Sequence, residues 1–83
     1  NDPLALNNLA WPLKDKELPR AAALAERAAQ LQPQSAAILD TYGWLLHLQG
    51  DDEAALVQLE RAAELAPDAT VIQRNLEAVR NID

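Results

Sequence analysis

The spacing of apolar and polar residues along the chain predicts helices rather than strands. Leu39, Tyr42 and Leu46 fall three and four residues apart, which places them on one face of a helix. Ala55 and Leu59 begin the same pattern in the following segment. Over the whole chain the pattern predicts an all-α fold of five helices without a strand. The predicted helices lie near residues 3–14, 19–32, 35–49, 52–66 and 69–81.

Residues between these segments are typical of helix ends. Ser35 and Asp51 each precede a predicted helix, where a side-chain oxygen can accept a hydrogen bond from an early backbone amide. Gly50 follows a predicted helix and tolerates the left-handed conformation with which many helices end. These residues therefore separate two helices joined by a tight turn within residues 35–67.

Two prolines mark the first part of the chain. Pro12 lies inside the first predicted helix, where it removes a hydrogen bond and clashes with the preceding turn. We therefore expect this helix to kink or to end near Trp11. Pro19 stands where the second helix should begin, and proline is favoured in the first turn of a helix.

The sequence also repeats itself with a period of 34 residues. Residues 25–33 return as residues 59–67 with six of nine positions identical. Residues 9–13 return as residues 42–46 at an offset of 33, so the first unit has lost one residue. A partial third copy begins at Asp68. We expect a first unit at 2–34, a second at 35–68 and a C-terminal capping helix at 69–83.

This helical unit is similar to the tetratricopeptide repeat. The family has a small residue within the first helix, one alanine early and another late in the second helix, and a closing proline. Gly43, Ala55, Ala62 and Pro67 match these positions. The resemblance implies one domain over residues 1–83, a solenoid of antiparallel helical hairpins with about two and a half repeats. Close approach of the two helices is expected where Gly43 meets Ala55, because larger side chains there would be overpacked.

Composition and charge narrow the range of partners. Asp and Glu number 13 against seven Lys and Arg, which gives a net charge of −6. Such a surface repels phosphate backbones and anionic headgroups, so no nucleic acid partner is expected. Apolar runs stay well short of the roughly 20 residues that span a bilayer, so direct membrane insertion is not expected. Cysteine is absent, which excludes disulfides and thiolate metal sites.

Candidate catalytic chemistry is sparse in this sequence. His47 is the single histidine, and its nearest ionisable companions are carboxylates, whereas a metal site needs three or four converging ligands. Ser35 is the single serine and is better explained as a helix cap than as a nucleophile. Two glycines cannot form a glycine-rich phosphate loop. We therefore expect no catalysis, no cofactor and no metal site.

The candidate binding surface is a second face of the first helix in each unit. In the family these helices line a concave groove, so the resemblance implies a module that binds a protein or peptide segment there. Asp40, Trp44 and His47 lie on this face, turned away from the inward stripe, and Asn8 and Asn75 flank it at positions equivalent to Thr41. In the competing interpretation both tryptophans pack between helices. The expected groove residues are Asn7, Trp11, Lys14, Asp40, Thr41, Trp44, His47 and Arg74.

One established binding mode of the family is not expected here. Chaperone-binding members hold an acidic C-terminal peptide with a clamp of lysines, asparagines and an arginine. Asn7 and Trp11 stand where that clamp has a lysine and an asparagine, and Asp40 adds negative charge. Recognition of an acidic C-terminal peptide is therefore disfavoured.

More narrowly, residues 6–11 and 39–46 resemble bacterial envelope proteins with these repeats, above all the large lipoproteins of exosortase and exopolysaccharide systems. That resemblance favours a scaffold role in the periplasm or cell envelope over the cytoplasm. Because the chain begins at Asn1 without a methionine, we expect a fragment of a larger scaffold. Two alternatives remain: a spacer that forms a homodimer through exposed ends at 4–6 and 71–82, and a regulatory segment of a larger enzyme.

Overall fold

A computed structural model describes residues 2–81 and shows five helices in that range, with no strand. The all-α class and the number of helices are confirmed, and every boundary lies within one residue of the predicted position. Ile82, part of one predicted exposed end, lies outside the described residues, as do Asn1 and Asp83. The helices are α1 (Pro3–Leu13), α2 (Leu18–Leu31), α3 (Ala36–Leu48), α4 (Asp52–Leu65) and α5 (Thr70–Arg80).

The helix ends are fixed by the residues that the sequence indicates. Ser35 Oγ accepts a hydrogen bond from the Ile38 amide at 3.4 Å, and Asp51 Oδ1 accepts one from the Ala54 amide at 3.3 Å. Gly50 has a φ of +90°, so it adopts the left-handed conformation expected after α3. Each side-chain cap contributes about 0.5–2 kcal/mol to helix stability.

Helix α1 does not end at Trp11 but continues through Pro12 to Leu13. The Lys14 amide donates to the Trp11 carbonyl oxygen, which tightens the final turn. Because Pro12 lies in that final turn, its missing N–H removes a single hydrogen bond near an end where carbonyl groups already lack helical partners. Helix α2 then begins at Leu18, with Pro19 in its first turn as expected.

Consecutive helices pack against one another and run in opposite directions. His47 near the end of α3 contacts Asp52 at the start of α4, whereas Arg61 late in α4 donates to the Pro33 carbonyl oxygen ahead of α3. Helix α3 additionally contacts α1 and α5. Helices α1, α3 and α5 are therefore neighbours, with α3 between the other two.

Small side chains fill the core where α1, α2 and α3 meet. Ala10, Ala21 and Ala25 are fully buried there together with Leu45. Alanine loses no side-chain entropy on burial and lets helix axes approach closely. The core between α3, α4 and α5 combines Ala55 with four larger residues, namely Leu46, Leu59, Leu76 and Val79.

At Gly43, helices α3 and α4 approach so closely that little room is left for a side chain. A β-carbon at this position would lie 2.8 Å from Leu59 Cγ and 3.3 Å from the Ala55 carbonyl oxygen. Gly43 therefore approaches Ala55 as expected, through the backbone of Ala55, but the nearest atoms belong to the Leu59 side chain.

Within residues 2–81, no helix is both long and apolar enough to cross a bilayer.

Candidate functional site

A groove of about 640 Å³ lies over α1, α3 and α5. Both tryptophans of the chain line it, together with three asparagines. Its single charged lining residue is Asp40. Because α3 contacts both α1 and α5, side chains from three separate helices reach one surface. The lining residues are Asn7, Asn8, Trp11, Pro12, Asp40, Thr41, Trp44, Val71 and Asn75.

Five of the eight predicted groove residues lie in this lining: Asn7, Trp11, Asp40, Thr41 and Trp44. The structure places the remaining three, Lys14, His47 and Arg74, outside it. Lys14 and His47 nevertheless contact groove residues, since each lies against a tryptophan ring. Arg74 is exposed on α5, one residue before Asn75, which takes the groove position.

Four lining residues were not in the predicted set: Asn8, Pro12, Val71 and Asn75. For Asn8 and Asn75 the sequence did contain a signal, because they precede and follow Thr41 by 33 and 34 residues, the two offsets of the repeat. Three equivalent polar positions therefore meet in the groove, one from each helix. No such signal existed for Pro12 or Val71, which belong to no polar pattern.

Asp40 connects two helices across the groove. Its Oδ1 accepts a hydrogen bond of 2.9 Å from Asn75 Nδ2, which ties α3 to α5. Burial raises the pKa of the Asp40 carboxyl above its ordinary value of 3.8, and the hydrogen bond from Asn75 partly opposes that rise. The Asp40 carboxylate is thus held in a site where its charge is incompletely compensated.

Asn7 presents a second uncompensated group. Its side-chain oxygen is buried and, among the described residues, has no hydrogen-bond partner. A buried polar atom without a partner costs about 1–3 kcal/mol of stability. Such atoms are uncommon in folded proteins, so one in the wall of a groove needs an explanation.

The two tryptophans differ in how firmly they are held. Trp44 is half-buried and packs against the core between α3, α4 and α5. Its ring centroid lies 4.9 Å from that of His47, whose Nδ1 donates to Asp52 Oδ1 at 2.8 Å. Trp11 is 44% exposed. Neither ring is enclosed between helices, although Trp44 combines core packing with a place in the groove.

Lys14 holds the ring of Trp11 from the edge of the groove. The Lys14 ammonium lies 5.1 Å from the centroid of the Trp11 ring, within the range of a cation–π contact. The same ammonium forms an ion pair of 3.1 Å with Asp15 Oδ2. Lys14 thus contributes to the groove by orienting Trp11, and its charge already has a partner.

The burial of Asp40 leads to a prediction about stability. Because the pKa of Asp40 is raised in the folded state, ionisation of its carboxyl lowers the free energy of unfolding. The loss of stability is complete at pH values above the folded-state pKa and vanishes below about pH 3.8, where the carboxyl is protonated in both the folded and the unfolded chain. Asp40→Asn should therefore raise the melting temperature at pH 7, and the gain should disappear as the pH falls towards 3.8. Asparagine keeps a carbonyl oxygen that can accept from Asn75.

Thermal melts between pH 3.5 and pH 7 measure this effect. The matched control is Asp68→Asn, which removes an exposed carboxylate in the loop between α4 and α5. It should leave the melting temperature nearly unchanged across the series. A lower melting temperature for Asp40→Asn at pH 7 would mean that the carboxylate stabilises the groove.

Within the described part of the chain, no group of three or more histidine or carboxylate side chains converges as metal ligands would. The chain matches no family model and no curated protein. Function therefore has to be inferred from the groove and from the residues that form it.

Proposed function

We propose that the chain is a protein–protein interaction module of the tetratricopeptide-repeat type, whose groove binds an extended or helical segment of a partner protein. One observation carries the proposal: Trp11, Trp44 and Asp40, on two different helices, converge with Asn75 of a third on one groove of about 640 Å³. Tryptophan is enriched among the residues that contribute most to binding at protein interfaces.

The repeat assignment is supported by residues at equivalent repeat positions that occupy equivalent places in the structure. Asn8, Thr41 and Asn75 are related by the period of the sequence and line the same groove. Gly43, which matches the small position of the family, lies at a tight contact between α3 and α4. Consecutive helices also run in opposite directions, as they do in stacked helical hairpins.

The groove chemistry suits a polypeptide segment. Asn7 and Asn8 carry amides that can exchange hydrogen bonds with a peptide backbone, because each amide has both donors and an acceptor. The tryptophan rings offer broad, rigid contact area for partner side chains. A volume of about 640 Å³ accommodates several side chains but not a folded domain.

Self-association is the second candidate function. Leu4 and Val71 are 61% and 59% exposed, near the starts of α1 and α5, where the sequence predicts exposed repeat ends. A second copy of the chain could cover them, and because Val71 also lines the groove, such a dimer would occupy the binding surface. Sedimentation velocity over a range of concentrations distinguishes a monomer with a free groove from a dimer.

The chain offers direct reporters for the proposed function, because its two tryptophans both line the groove. Peptides of about 12 residues are selected from a random display library on the 83-residue chain. Synthetic copies are then titrated while the two indole N–H resonances are followed by NMR. We expect saturable shifts of both resonances with a monomeric protein. If every selected peptide leaves both indole signals in place, the groove is not the binding site.

A further inference from the structure

Two hydrogen-bond acceptors in the groove, on Asn7 and Asp40, lack a full set of partners. Asn75 donates to Asp40, and the Thr41 hydroxyl donates to the Ala37 carbonyl oxygen at 3.1 Å. In contrast, Asn7 Oδ1 has no partner among residues 2–81, and one hydrogen bond at Oδ1 leaves the Asp40 carboxylate with unused acceptor capacity. A ligand that satisfies these two acceptors must supply donors.

The charge of the groove favours the same kind of ligand. Asp40 is the one charged residue in the lining, and it forms no ion pair with any residue from 2 to 81. Lys14, which lies over the Trp11 ring at the edge of the groove, is paired with Asp15. A net charge of −6 adds a favourable long-range field for a positively charged partner.

The aromatic lining is also suited to a cation. Lys14 over Trp11 shows that a cation can rest on one of these rings. Trp44 follows Asp40 by four residues on α3, so its ring lies on the same helix face as the carboxylate. A cation bound to Asp40 is therefore adjacent to an aromatic surface, where cation–π attraction adds to the ion pair.

We propose that the partner segment presents an arginine side chain to this groove, with the guanidinium bound to Asp40 and Asn7 and stacked on a tryptophan ring. The proposal rests on the proposed function. Guanidinium carries five donors, no acceptor and a flat face that stacks on aromatic rings, whereas the lysine ammonium is a compact, strongly hydrated charge. Asn7 Oδ1 is covered in the free protein, and rotation about the soft terminal torsion of Asn7 brings it to the ligand.

The test uses the peptides selected on the 83-residue chain. We expect arginine to be enriched among them. In the tightest binder, each arginine is replaced in turn by citrulline, which has nearly the same shape but no charge. Replacement at the critical position should weaken binding at least about tenfold, because the hydrogen bonds to Asp40 then come from a neutral donor instead of a charged one.

Two protein variants connect this effect to the groove. In Asp40→Asn the loss caused by citrulline should shrink to about threefold or less, because the charged partner of the guanidinium is gone. In Asp68→Asn, which makes the same change of charge on an exposed loop, the full tenfold loss should remain. The higher melting temperature expected for Asp40→Asn separates lost binding from lost folding.

The possible results distinguish this inference from the function on which it rests. Peptides that shift the indole signals but lack arginine, or that tolerate citrulline everywhere, would overturn the arginine assignment and leave the peptide groove intact. Equal affinity of a lysine peptide would overturn the preference for guanidinium. Peptides that shift neither indole signal would overturn the proposed function and the arginine assignment together.

Discussion

Leu59→Ala is expected to lower the free energy of unfolding by about 2–5 kcal/mol, the usual cost of removing a large buried side chain. Leu59 is fully buried and packs against α3 and α5 from its place on α4. A chain of 83 residues has roughly 4–12 kcal/mol of stability in total. The substitution therefore removes a large part of what holds the helices together, and urea unfolding measures the loss.

Gly43→Ala in the same region should be destabilising in the parent chain, although alanine is the better helix former by about 1 kcal/mol. The added β-carbon would lie 2.8 Å from Leu59 Cγ, so the buried Leu59 side chain or the helices themselves would have to shift. Overpacking of this kind costs about 1–3 kcal/mol. The net loss is expected to be about 1 kcal/mol.

The two substitutions should be strongly coupled, because one makes room for the other. In the Leu59→Ala background the nearest obstructing atoms are gone, so Gly43→Ala should become stabilising by up to about 1 kcal/mol. Ala23→Gly, at an exposed position within α2, calibrates the intrinsic difference between the two residues. If Leu59→Ala is too unstable in buffer, all variants are compared in a fixed concentration of trimethylamine N-oxide. Additive effects of the two substitutions would show that Gly43 and Leu59 do not compete for space.

The helices could be predicted closely because their limits are local chemistry. Ser35, Gly50 and Asp51 act on backbone groups only a few residues away, and the structure shows each in its expected role. Pro12 was harder to place, because the effect of a proline depends on how many helical turns follow it. With the helix ending one residue later, little remained for Pro12 to disrupt.

The groove was less predictable because it depends on how α5 is rotated against α3. The repeat register pointed to Arg74 on α5 with Asn75 beside it, but packing places Asn75 and Val71 towards the groove and leaves Arg74 outside it. The hydrogen bond between Asp40 and Asn75 joins residues 35 apart in sequence, and no local sequence pattern indicates it. Whether an asparagine oxygen such as that of Asn7 is buried without a partner likewise depends on packing that the sequence does not display.

Trp11→Ala and Trp44→Ala are each expected to weaken the binding of a groove-selected peptide by at least about 2 kcal/mol, which is roughly thirtyfold, as truncation of a central interface tryptophan commonly does. Both rings line the groove and both are held in place, Trp11 by Lys14 and Trp44 by the core and His47. A ring that is already ordered loses little conformational entropy when a partner binds.

The two variants should differ in stability, which separates binding from folding. Trp44 packs on the core, so its truncation should cost about half of the 3–5 kcal/mol lost with a fully buried tryptophan. Trp11 is 44% exposed, and its truncation should cost less than about 1 kcal/mol. Leu48 is a residue of α3 with a similar exposure of 42% that does not line the groove, so Leu48→Ala should change neither stability nor affinity by much.

Each tryptophan variant keeps one indole as its own reporter of occupancy, so calorimetry and NMR can be compared on the same sample. Trp11 is the largest side chain of α1 in the groove lining. If Trp11→Ala is folded and binds the peptide as tightly as the parent chain, the partner does not lie across α1.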